Sequence, residues 1–77
     1  MPDDDPVVYL ATVANEPLAA LCTEVLGDAG IRAMAKPTGP GYGAWASAAT
    51  LPHELYVLRS RLADAEAVLR ELNEGAE

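Results

Sequence analysis

His53 beside Glu54 joins an imidazole to a carboxyl group, two side chains widely used to pass protons in catalysis. Successive residues of a strand point to opposite faces, so the pair does not converge on one substrate atom, and His53 reads as a solvent-facing residue at a strand entry. Cys22 could supply a nucleophilic thiolate, but it falls inside an apolar helical stripe, where a thiol behaves as a small unreactive hydrophobe. Asp64 and Glu66 stand in the early turns of a second helix, where carboxylates answer the positive end of the helix dipole. Gly41-Tyr42-Gly43-Ala44-Trp45-Ala46 has the G-x-G-x-x-A spacing of a dinucleotide-binding turn. That turn works by opening the helix of a strand-helix-strand unit, with an acid about 20 residues on, whereas this one joins two antiparallel strands. With one cysteine and one histidine, neither an internal disulfide nor an all-Cys/His zinc site can be built within one chain. The residues therefore assign no catalytic group, no metal and no cofactor, and the chain reads as non-enzymatic.

The elements that would position any site follow from periodicity. Residues 1–6 combine two prolines with three aspartates and read as a disordered acidic lead-in; one domain spans 7–74. Val7 to Val13, β-branched and aromatic with apolar residues on both faces, reads as a strand. Asn15 is an N-cap and Pro17 suits the first turn of a helix whose stripe is Leu18, Leu21, Cys22, Val25, Leu26 and Ala29, closed by Gly30. Ile31 to Lys36 alternates as a second strand, with Ile31, Ala33 and Ala35 covered. Pro37 to Ala49 is a turn-rich loop, Glu54 to Leu58 a third strand, and Ser60 caps a helix bearing Leu62, Ala65, Val68, Leu69 and Leu72, with Glu66 and Arg70 paired on its outer side. Leu21, Leu26, Val57 and Leu69 are the expected core.

This β-α-β-β-α order, joined by a right-handed crossover, predicts an α+β fold of truncated ferredoxin-like type. The third strand lies between the other two and antiparallel to both, and the two helices share one face. No fourth strand follows to cover the first, which leaves Val7 to Val13 as an open edge. The uncovered sheet face should hold Arg32, Met34, Lys36, Glu54, Tyr56 and Leu58, with Glu54 placed to pair with Arg32 or Lys36 across strands.

Val8 to Pro17, the helix ending Gly30-Ile31, and Glu54-Leu55-Tyr56-Val57 before the last helix resemble the prokaryotic signal-transducing protein family, a family of domains of unknown function. The resemblance covers Val7 to Leu72 and implies a fold similar to nitrogen-regulatory signal proteins, which bind small effectors and partner proteins and are not enzymes. It makes a regulatory, signal-transducing interaction module the leading expectation; the alternative is a small-metabolite sensor using the glycine-rich loop and a subunit interface.

Twelve acids against five bases give a formal charge of −7, which repels a phosphate backbone and excludes nucleic acid as a partner. No stretch approaches the roughly 18 apolar residues of a membrane span, and the start shows no basic-then-apolar leader, so a soluble cytoplasmic protein without membrane attachment is expected. A chain this short buries only about 60% of its unfolded surface, and with disulfide and metal excluded a homo-oligomer is the remaining source of stability. Tyr9, Met34, Tyr56 and Leu58 are the expected contacts. The loop residues Gly39, Gly41, Tyr42, Gly43 and Trp45 are the expected contacts with a protein partner or small effector, because long loops without regular structure are uncommon and often functional.

Overall fold

The computed structural model describes residues 5–38 and 51–75. Its elements run β1 (Val7–Val13), α1 (Glu16–Asp28), β2 (Ala33–Pro37), β3 (His53–Leu58), a 3₁₀ turn (Arg59–Arg61) and α2 (Leu62–Gly75). The sheet order is β1-β3-β2, with β3 antiparallel to both neighbours. This is the predicted β-α-β-β-α arrangement.

Strand β3 organises the core, because its side chains alternate between a buried set, His53, Leu55 and Val57, and a half-buried set, Glu54, Tyr56 and Leu58. Leu26 of α1, Ile31, Val57 and Ala65 of α2 form one buried cluster, and Ala19, Cys22 and Leu55 form a second. Both helices thus cover the face that carries Leu55 and Val57. Leu10 and Leu69 pack against both clusters and join them.

The ends of α1 are set by local chemistry. The Asn15 side chain accepts from the Leu18 amide at 3.0 Å, and Pro17 occupies the first turn, as expected. At the other end Gly30 takes φ 82°; its amide donates to Gly27 O and the Ile31 amide donates to Leu26 O, at 2.9 and 2.8 Å. Those two bonds and the Leu26–Ile31 packing make a Schellman closure, which delivers Ile31 directly into the core.

Several expectations are corrected. The buried line of α1 is Ala19, Cys22 and Leu26; Leu18 and Leu21 are 41% and 43% exposed, so Leu21 is not a core residue, and Ala29 is exposed as well. The stripe is wider than the surface available to cover it, and the closure at Gly30 fixes which third of it turns inward. Strand β2 begins at Ala33, since Ile31 belongs to the helix closure, and Ala35 is exposed. His53 is 4% exposed rather than solvent-facing. It belongs to β3 itself, on the inward side with Leu55 and Val57, and its Nδ1 lies 2.8 Å from Leu51 O.

Ser60 does not cap α2 as expected; it lies inside the 3₁₀ turn and is itself held by Asp5. The Ser60 amide donates to Asp5 Oδ1 at 2.8 Å and the Ser60 hydroxyl to Oδ2 at 2.7 Å, while the Arg59 amide donates to Pro6 O. These bonds hold the Asp5 carboxyl below its ordinary value, helped by the Arg59 charge. The last two residues of the acidic lead-in are therefore tied to the entry of α2. The rest of it, residues 1–4, lies outside the described residues.

Candidate functional site

The sheet face opposite the helices presents side chains from all three strands. Strand β3 contributes Glu54, Tyr56 and Leu58; through the register, β2 sets Met34 beside Tyr56 and Lys36 beside Glu54. On the other side β1 sets Val7 beside Leu58, Tyr9 beside Tyr56 and Thr12 beside Glu54. A bulge at Leu10 makes that last pairing possible. With Leu10 surplus to the ladder, Leu10 and Ala11 stay on the helix side, and Thr12 emerges on the same face as Tyr9.

The centre of this face is aromatic. Tyr9 and Tyr56 pack edge to face, with centroids 6.1 Å apart and planes at 77°. Their hydroxyls point to different partners: that of Tyr9 lies 2.7 Å from Thr12 Oγ1, and that of Tyr56 donates to Glu54 Oε1. The Glu54 bond, with burial and the carboxylate charge, raises the Tyr56 phenol above its ordinary value, because ionisation would remove the donor and set two anions together. Lys36 Nζ sits 5.6 Å from the Tyr56 ring centroid, within cation–π range. Glu54 thus bonds to Tyr56 rather than to Arg32 or Lys36 as the sequence suggested. Around the aromatic pair the face stays open, since Val7, Tyr9 and Met34 are 50%, 52% and 56% exposed. At one end Val7, Arg32, Met34, Tyr56 and Leu58 line a depression of about 240 Å³.

The expected contact residues Tyr9, Met34, Tyr56 and Leu58 therefore share one contiguous surface. Lys36 belongs to it as expected, whereas Val7 and Thr12 belong to it and were missed. Val7 was recoverable from its two-residue spacing to Tyr9; Thr12 was not, because the bulge that turns it outward leaves no mark in an apolar strand. The loop residues Gly39, Gly41, Tyr42, Gly43 and Trp45 lie outside the described residues.

A second concavity, an apolar groove of about 440 Å³, runs between the helices and the end of β1, lined chiefly by Val13, Leu18, Leu21, Cys22, Leu69 and Leu72. It accounts for the exposure of Leu18 and Leu21. Cys22 sits at its floor with a thiol pushed up by burial, so it is held as the protonated form. Among the described residues no cluster of three or more His, Cys, Asp or Glu could hold a metal ion, and no helix is long and apolar enough to cross a membrane.

No family model, curated protein or solved structure matches this chain. The fold accords with the family resemblance at the level of a small α+β domain with β-α-β-β-α order.

Proposed function

We propose that this chain is a non-catalytic regulatory module that recognises a protein through the open face of its sheet. The observation that carries this reading is the contiguous surface formed by exposed Val7, Tyr9 and Met34 around half-buried Tyr56, rigidly backed by the β1-β3-β2 ladder. Exposed apolar and aromatic side chains gathered on one rigid face mark interaction surfaces, and Tyr and Met are enriched at them. The one carboxylate and the one amine of the face do not stand free as acid–base machinery: Glu54 is held by Tyr56, and Lys36 lies over an aromatic ring. The likeness to the signal-transducing family supports the same reading.

The test is site-specific photo-crosslinking in the native cell, with the reactive group placed at Met34 on the sheet face or at Glu66 on the outer side of α2. Protein adducts should form from Met34 and not from Glu66. Adducts confined to Glu66 would place the recognition surface on the helices and end this reading.

A further inference from the structure

We propose that the protein on this face is a second copy of the chain, packed sheet against sheet about a two-fold axis running along β3. This rests on the reading of the open face as an interaction surface and names its occupant.

Charge selects the face. Helix α1 carries Glu16, Glu24 and Asp28 with no base, and α2 carries Asp64, Glu66, Glu71 and Glu74 against Arg70 alone. Two copies of a chain of charge −7 repel each other when their helices meet. The open face is the exception, holding Arg32 and Lys36 against the single carboxylate Glu54. Stacking there buries the aromatic and apolar centre and leaves both acidic helical layers pointing outward.

The sheet edges are poorer candidates. The bulge at Leu10 interrupts β1, and β2 is five residues long and closes on Lys36-Pro37, features that discourage continuation of a sheet into another chain.

The strand register selects the axis. Thr12, Glu54 and Lys36 lie in one row across the sheet, and Met34, Tyr56 and Tyr9 in the next. A two-fold axis along β3 stacks each row on its own copy in reverse order. Lys36 then lies over the partner's Thr12 and diagonal to the partner's Glu54, while Glu54 faces its own copy, so the two carboxylates at the centre of the row are flanked by the two lysines, one from each chain. An axis across the strands would instead bring Lys36 toward the partner's Arg32, setting cation against cation. The face offers about nine side chains, against roughly 20 to 30 residues a side in a standard interface, which places the dimer in the weak, reversible class used for transient signalling.

The experiment uses sedimentation of the full chain and two single variants, Lys36→Glu and Glu54→Lys. The parent should show a reversible monomer–dimer equilibrium, and each variant alone should be weakened at least about tenfold, because all four charges of the row then share one sign. Mixed in equal amounts, the two variants should associate with each other, since every charged contact across the axis, the central 54–54 contact included, then joins opposite charges while the like charges within each chain remain. Thermal melts establish that both variants are folded, and Tyr9→Ser supplies an uncharged variant that should also weaken the dimer. Tighter self-association of Lys36→Glu, or no association in the mixture, overturns the arrangement. A parent that stays monomeric up to about 1 mM overturns the dimer altogether. If Met34 then crosslinks only to other proteins, the interaction-module reading stands without this inference; if it crosslinks to nothing, both fail.

Discussion

Tyr9 and Thr12 join hydroxyls at 2.7 Å on one sheet face although they stand three residues apart in a strand, a spacing that ordinarily sends two side chains to opposite faces. The surplus residue at Leu10 reverses the phase. It lets Leu10 and Ala11 both face the helices, so that β1 supplies core on one side and a polar-rimmed aromatic surface on the other.

If the bulge is one surplus residue and nothing more, deleting Ala11 should be tolerated. Leu10 would then oppose Leu55, and every pair from Val7 to Tyr9 and from Thr12 to Val13 keeps its partner. Deleting Thr12 instead throws Val13 onto the open face. Urea denaturation should show a native-like transition for the Ala11 deletion and a loss larger by about 1 to 3 kcal/mol for the Thr12 deletion. Equal losses would contradict the phase assignment.

The two leucines of α1 that the sequence treats alike should behave differently. Leu26 is fully buried and shares a cluster with Ile31, Val57 and Ala65, so Leu26→Ala should cost about 2 to 5 kcal/mol. Leu21 is 43% exposed along the apolar groove, and Leu21→Ala should cost less than about 1 kcal/mol. Denaturation midpoints of the two variants decide it.

The glycines that bracket the end of α1 should respond in opposite directions to alanine. Gly30 sits at φ 82° with open space around it, so the cost of Gly30→Ala is conformational and should be about 1 to 2 kcal/mol. Gly27 is helical and equally uncrowded, and Gly27→Ala should stabilise by about 0.5 to 1 kcal/mol. Matching losses at both positions would mean that the closure does not depend on a left-handed residue.

The element order and the helix-ending Gly30 are legible in the sequence because they rest on local chemistry, β-branched runs, an Asn15 cap and a glycine where the chain must turn left-handed, and the sheet order then follows from the handedness of the crossover. What eludes sequence reading are choices made by tertiary packing. Whether Leu21 or Ala19 faces inward depends on a helix rotation that the apolar stripe permits either way. His53 is buried because β3 is one residue longer than the alternation from Glu54 suggests, and an inward position in a central strand outweighs a polar side chain that has a carbonyl within reach. The Asp5–Ser60 contact joins residues 55 apart, and no local pattern announces it.

That contact should give stability a specific acid dependence. The two Ser60 hydrogen bonds lower the Asp5 pKa in the folded chain, so its contribution is present above the ordinary value of 3.8 and fades as pH falls through the lower folded value. Parent and Asp5→Ala should differ most in melting temperature near neutral pH and converge in acid. A gap that persists in acid would assign the effect to something other than the carboxylate.

Tyr56 should show the reverse dependence at the alkaline end. Its neutral phenol donates to Glu54, and ionisation would both break that bond and bring a phenolate against a carboxylate, so its pKa stands above the ordinary 10.0. For a raised folded value the sign follows directly: the contribution is complete below the unfolded value and is lost as pH rises through the folded one. Replacing Glu54 by glutamine keeps an acceptor but removes the charge, so the Tyr56 phenol should titrate closer to 10.0 in Glu54→Gln, and the alkaline loss of stability should become shallower. Ring resonances followed by NMR distinguish Tyr56 from Tyr9, whose hydroxyl is paired with Thr12 instead. If Tyr56 titrates identically in parent and Glu54→Gln, the hydrogen bond is not maintained in solution. Lys36 would then be left without the anchored ring over which it sits, and the charge row across the open face would lose its fixed geometry.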